Sequence, residues 1–256
     1  MDTAVPEHDF DHELDRAARR ERARDRMARE DLDALLLTGG PNLAYFENAS
    51  GMLGAESGSR PMCYLLPRDG SPTFVVHEFL ASGIETDDDC TVRTYERLSS
   101  LPAAELGEAM SDAGVSEGRI GVEYGAETTL SVPAGEFRAF VDGREGSFVH
   151  AQPLLADLRA RKSDAEVERV ERACEVTDEA FSRTFTDVST GMTGREVGSL
   201  FRRHLLECGG DAPWSLVTCG PDEYDRTASD GSDRVIEEGD MVWIDGGCAV
   251  DGYFSD

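Results

Sequence analysis

The stretch Gly239-Asp240-Met241-Val242-Trp243-Ile244-Asp245-Gly246-Gly247-Cys248-Ala249-Val250-Asp251-Gly252-Tyr253-Phe254-Ser255-Asp256 decides how this chain is read. With strand alternation, Val242 and Ile244 point to one side and Met241, Trp243 and Asp245 to the other. Asp251-Gly252 is a two-residue hairpin turn signal, so the stretch reads as a β-hairpin. Around that turn Val250 faces Tyr253, and Asp256 falls opposite Gly247 on the sheet face that carries Asp245. The two aspartates are then diagonal neighbours, roughly 7–8 Å apart at the backbone. Carboxylates that converge on one face of an otherwise apolar ribbon repel each other unless a proton or a cation sits between them. Their oxygens suit hard or borderline divalent ions such as Mn²⁺, Co²⁺ or Zn²⁺. The competing reading is that both are solvated surface acids in a chain that carries 52 acidic residues.

Working outward, the charge excludes some partners. A net charge of −27 over 256 residues argues against nucleic acid and against an anionic membrane, both of which need a basic surface. All but one of the 25 basic residues are arginine, the exception being Lys162, and the acids are spread along the whole chain. That pattern suits a salt-rich cytoplasm, where ions screen self-repulsion, and it predicts salt-dependent folding. Cys63, Cys90, Cys174, Cys208, Cys219 and Cys248 form no C-x-x-C pair and read as reduced, buried thiols. The N-terminus is polar and no apolar run approaches a membrane span, which predicts a soluble, cytoplasmic protein.

Three regions follow from the pattern along the chain. Residues 1–30 are highly charged, with a thin apolar stripe of Leu14, Ala17, Ala18 and Met27, and predict a charged helical segment that frays or packs on a surface. Residues 31–152 alternate strands and helices. Strands are expected at 32–37, 62–66, 73–77, 91–95, 119–123 and 148–150, and helices at 102–113 and 133–141, the pattern of an α/β domain. His77 ends a strand with no metal-ligand spacing to other donors and reads as structural. The run 151–163 marks the composition shift. From 153 to 256, Ser163 with Glu166 forms a capping box for a helix to about Phe185, and Thr193 caps a second helix stopped by Gly209-Gly210. Trp214 to Cys219 is the next strand.

The hairpin resembles the first half of the metal site of the M24 "pita-bread" metallopeptidases, the family of Xaa-Pro aminopeptidases, prolidases and methionine aminopeptidases. Asp245, Gly246, Gly252, Tyr253, Ser255 and Asp256 fit that family's pattern, with the second aspartate eleven positions after the first. Leu158-Arg159-x-x-Lys162-Ser163-x-x-Glu166 is similar to the family's entry into its catalytic domain, and Gly191-Met192-Thr193 to its inter-helix turn. Residues from about 15 to 150, with Ile120-Gly121-Val122-Glu123 as a typical patch, resemble the creatinase/prolidase N-terminal domain. The resemblance implies an α/β N-terminal domain followed by a partial α+β pita-bread domain.

It also implies a hydrolase that cleaves peptide bonds near a free amino terminus, using two divalent ions and a bridging water. Asp245 would chelate one ion and Asp256 would bridge both; no residue of this chain is assigned a separate catalytic role. Family members use five metal ligands, and the last three, a histidine and two glutamates, lie beyond the second aspartate. The sequence contains two of the five, which predicts little or no activity for this polypeptide by itself. Alignment on 233–240 places Ala228 where many of these peptidases carry a substrate-binding histidine, so prolyl recognition is expected to differ. Two other readings stay open. One is a non-catalytic family member acting as a binding or dimerisation module, for instance as a homodimer. The other is a creatinase-type C–N hydrolase acting on a small amide, although that branch lacks the paired aspartates.

Overall fold

The computed structural model describes residues 8–47, 60–84, 86–87, 89–126, 128–226 and 229–256. These fall into two compact units: Asp15–Arg161, and Lys162–Asp256 together with the segment that ends at Leu14.

In the first unit the elements run α1 (Arg16–Arg29), β1 (Ala34–Leu37), α2 (Gly40–Phe46), β2 (Cys63–Pro67), β3 (Thr73–His77), α3 (Glu78–Ala81), β4 (Thr91–Tyr95), α4 (Ala103–Asp112), β5 (Arg119–Val122), α5 (Ala134–Asp142), β6 (Ser147–His150) and α6 (Gln152–Ala160). The six strands form one mixed sheet in the order β4-β3-β2-β1-β5-β6. β1 is antiparallel to β2 and parallel to β5.

Every residue of β1, β2 and β3 is buried, because helices cover both faces of the sheet. Leu35 and Leu37 pack with Ala23, Met27, Phe46 and Leu154 on one side. Ala34 and Leu36 pack with Leu106, Met110, Phe137 and Phe140 on the other. This explains why the strands read as unbroken apolar runs without alternation.

Two features of this unit differ from the sequence reading. The buried face of α1 is Arg19, Arg20, Ala23 and Met27, whereas Ala17 is exposed. Arg19 donates to the Tyr45 carbonyl at 2.8 Å and lies 4.4 Å from the centre of the Tyr45 ring. Arg20 pairs with Glu47 at 3.2 Å and with Asp87 at 2.8 Å. Burial pushes the Glu47 carboxyl above its ordinary range, while the Tyr64 hydroxyl and Arg20 pull it back. A hydropathy stripe overlooks such a face, because it scores buried, partnered arginines as surface. The composition shift after Ala151 is also a helix: α6 buries Leu154, Leu155 and Leu158, with a proline in its first turn.

His77 is satisfied within the fold. Its Nδ1 accepts from the Phe79 amide at 3.1 Å, which leaves Nε2 to donate to the Glu96 carbonyl at 3.0 Å.

The second unit contains α7 (Asp164–Asp187), α8 (Gly194–Glu207), β7 (Asp211–Cys219), β8 (Val242–Val250) and β9 (Tyr253–Phe254). Ser163 and Thr193 both open their helices with complete capping boxes, closed by Glu166 and Glu196. The strands form an antiparallel sheet in the order β7-β8-β9. Ala173, Val176 and Ala180 of α7 and Phe201 and Leu205 of α8 pack on one face of it, against Ile244, Cys248 and Val250. The other face carries Met241 and Trp243, which are 56% and 36% exposed.

Candidate metal centre

The hairpin is built as its turn signal dictates. Val250 pairs with Tyr253 and Ala249 with Phe254, and both loop residues adopt positive φ, 50° at Asp251 and 80° at Gly252. A two-residue loop of this kind matches the strand twist, and glycine meets the φ requirement without steric cost. The Ser255 amide then donates to the Cys248 carbonyl at 3.0 Å, which brings Asp256 to the level of Gly247.

Three residues of α7 hold the hairpin, a role that the sequence reading gave to none of them. Arg169 donates from Nε to Asp251 at 2.6 Å, clamping the turn. Its Nη1 reaches the carbonyls of His12 at 3.0 Å and Ala165 at 2.9 Å, and its guanidinium lies 4.1 Å from the Phe10 ring centre. The Tyr253 hydroxyl donates to Glu166 at 3.3 Å. Thr177 donates to the Ser255 hydroxyl at 3.0 Å, and Ser255 also receives the Cys248 amide at 3.3 Å. Positions 166, 169 and 177 share a helical face, and only the hairpin's return path reveals why they matter.

Asp245 is half-buried and stands opposite Leu216 of β7. It lies on the sheet face turned away from α7 and α8, because its neighbour Ile244 is packed into the helix-covered core. Asp256 is exposed. Neither carboxylate has a hydrogen-bond or ion-pair partner among the described residues, although arginines are neutralised by acids throughout the fold. Close packing on the covered side fixes the backbone between them. A Cβ at Gly246 would come within 2.6 Å of the Trp214 carbonyl and 2.7 Å of the Phe201 ring.

The two aspartates offer oxygen donors only. The nearby Cys248 thiol points into the helix-covered core, where burial pushes its pKa up and disfavours the thiolate a metal would need. Among the described residues, no group of three or more His, Cys, Asp or Glu side chains is placed to hold a metal ion. The two aspartates therefore suit part of a hard-ion ligand set and do not complete one.

The segment before β8 is fixed by one ion pair. Arg234 donates to Asp240 through both terminal nitrogens, at 2.5 and 3.2 Å, and Asp240 also accepts the Glu237 amide at 2.9 Å. The Arg234 guanidinium holds the Asp240 carboxyl below its ordinary range. Ala228, expected where relatives carry histidine, lies outside the described residues.

The sequence matches the Creatinase/Prolidase N-terminal domain over residues 19–161 and Metallopeptidase family M24 over residues 168–256. The chain belongs to the M24 prolidase-type family. It is 26% identical to the Xaa-Pro dipeptidase of Pyrococcus horikoshii over 234 residues, covering 90% of this chain and 60% of that protein. Human Xaa-Pro aminopeptidase 3 is 32% identical over 109 residues, 41% of this chain and 21% of that one. Among solved structures, the prolidase from Thermococcus sibiricus superposes with a TM-score of 0.80 at 21% identity, over 95% of this chain and 64% of its own. The Xaa-Pro dipeptidase from Bacillus anthracis superposes with a TM-score of 0.76 at 20% identity, over 94% and 63%. The fold of this M24 chain is thus a mixed α/β N-terminal domain followed by a partial pita-bread domain. The chain spans about three fifths of the length of the Pyrococcus horikoshii dipeptidase and of these two solved structures. No helix among its described residues is long and apolar enough to cross a membrane.

Proposed function

We propose that this chain carries the first two ligands, Asp245 and Asp256, of a dinuclear metal centre that hydrolyses peptide bonds next to a free amino terminus. Xaa-Pro peptides are the substrate class. The observation behind this reading is the hairpin, whose register sets Asp256 diagonal to Asp245, a half-buried carboxylate with no partner among the described residues, on the sheet face that α7 and α8 do not cover. Mn²⁺, Co²⁺ or Zn²⁺ suits such oxygen donors, and when bound the ions would lower the pKa of a bridging water and polarise the scissile carbonyl. The protein's own contribution is to hold the two carboxylates at fixed separation through Arg169, Glu166 and Thr177. Similarity to Xaa-Pro dipeptidases and an Xaa-Pro aminopeptidase supports the substrate class.

Two carboxylates fill less than half of a dinuclear coordination sphere, so the 256-residue polypeptide alone is expected to turn over little or no substrate. The acid excess and six free thiols support a salt-rich, reducing cytoplasm as the setting. A non-catalytic binding role is the second reading, favoured by the lack of a three-ligand group among the described residues. The deciding assay supplies Mn²⁺ and a proline dipeptide in molar salt to the wild type and to an Asp245→Asn/Asp256→Asn double variant. Turnover well above the double variant would show that this polypeptide completes a centre and would reject the expected inactivity. If the melting temperature of the wild type also ignores Mn²⁺, the binding-module reading replaces the metal one.

A further inference from the structure

The N-terminal unit contains a cavity of about 520 Å³ that the metal reading does not use. It opens at the carboxyl ends of β1 and β5, the neighbouring parallel strands at the centre of the sheet. From β1 the chain turns into α2 and on to β2, whereas from β5 it continues through α5 to β6 on the opposite side. Chain paths that part in this way leave a crevice beyond the strand ends, the usual ligand position in open α/β sheets.

Glu123, at the end of β5, forms the floor and is 2% exposed. Its Oε2 accepts from the Thr38 amide at 2.6 Å, the Thr38 hydroxyl at 3.1 Å and the Gly39 amide at 2.8 Å. Among the described residues its Oε1 accepts only from the Asn42 side chain, at 2.6 Å. All four donors are neutral, so a buried anion has no counter-cation among the described residues. Arg159 of α6 stands on the same wall and donates to Asn42 Oδ1 at 3.2 Å. It has no carboxylate partner among the described residues, in a chain with 52 acids to offer one. Gln152 and Ser131 add neutral polar groups to the lining.

A buried anion and a rim cation, each without an opposite charge and joined through Asn42, suit a ligand that carries both charges. We propose that this cavity binds a small zwitterion, a free amino acid or short peptide, with its ammonium group on Glu123 Oε1 and its carboxylate on Arg159. The site lies within the N-terminal unit and does not depend on Asp245 or Asp256. A peptide amine donor fits the open acceptor of Glu123, while the bidentate fork of Arg159 fits a terminal carboxylate.

Amide-resolved NMR titration of EDTA-treated protein with glycyl-L-proline tests the proposal. Saturable shifts are expected at Gly39, Gly40 and Ser131. Binding should weaken roughly tenfold or more for the N-acetylated dipeptide, for its C-terminal amide, and for Arg159→Ala, because each removes one charge-assisted contact. The Asp245→Asn/Asp256→Asn variant should bind as the wild type does, which separates this site from the metal centre. Absence of saturable shifts at these amides, or equal affinity for the blocked peptides, would overturn the proposal; so would loss of binding in the double aspartate variant. Should Arg159→Ala fail to fold, Ala156→Trp fills the cavity from an exposed helical position. Binding that survives that substitution would equally overturn the site.

Discussion

The two sheets of this chain treat their faces in opposite ways. In the N-terminal sheet β1, β2 and β3 are buried at every position, between two helical layers. In the C-terminal sheet one face is packed against α7 and α8, while the other exposes Met241 and Trp243 beside Asp245. A strand covered on both sides can only serve as scaffold, so its sequence is a plain apolar run. A strand covered on one side retains alternation, and its free face can display chemistry. That contrast explains why the hairpin can present donors along its length, whereas the central strands can do so only beyond their ends.

Substitutions at matched aromatic positions sharpen this contrast most. Phe74, fully buried in β3, is expected to cost about 3–5 kcal/mol when changed to alanine, read as a shift in the denaturant midpoint at constant slope. Arg169→Ala comes next, at about 1–3 kcal/mol. It removes a buried guanidinium from two carbonyls and from Asp251, with the ion-pair share discounted because Asp251 is partly exposed. Amide exchange at Gly252 should accelerate in that variant, because the turn loses its clamp; unchanged exchange would mean the hairpin stands without α7.

The pH dependence is smaller and its sign is fixed. Arg234 depresses the Asp240 pKa, so this pair adds stability above the ordinary aspartate range of about 3.9 and loses it as pH falls through the depressed value. Asp240→Asn should therefore lower stability at neutral pH and flatten the acid limb of the unfolding profile, measured by circular dichroism in constant salt. At Trp243, which keeps 36% of its surface exposed, the change to serine is expected to cost less than Phe74→Ala, about 1–2 kcal/mol. A loss comparable to that of Phe74→Ala would show that the exposed face is structural and would erase the distinction between the sheets.

The hairpin was legible because Asp-Gly fixes the turn and a period of two fixes the faces, which gives Asp245 and Asp256 defined strand positions in the sequence itself. The capping box at Ser163 and the cap at Thr193 were legible for a similar reason, as short-range chemistry with fixed spacing. What escaped was polar burial. Arg19 and Arg20 look like surface residues until Tyr45, Glu47 and Asp87 arrive from distant segments. Glu123 looked like the end of a strand, yet it organises Thr38, Gly39 and Asn42 from 81–85 residues away in sequence. The only local signals were a glycine pair after one apolar strand and an acid after another, and neither identifies its partner. Arg169 escaped in the same way, since its role depends on where the hairpin turn returns.

Paramagnetic broadening by Mn²⁺ tests the central claim most directly, because it reports where the ion resides on a surface crowded with acids. Substoichiometric Mn²⁺ in molar salt should selectively broaden the amides at 245–247 and 254–256, and Asp245→Asn should abolish the effect. Broadening spread evenly over the acidic surface, or surviving that substitution, would contradict the assignment of these two aspartates as metal ligands.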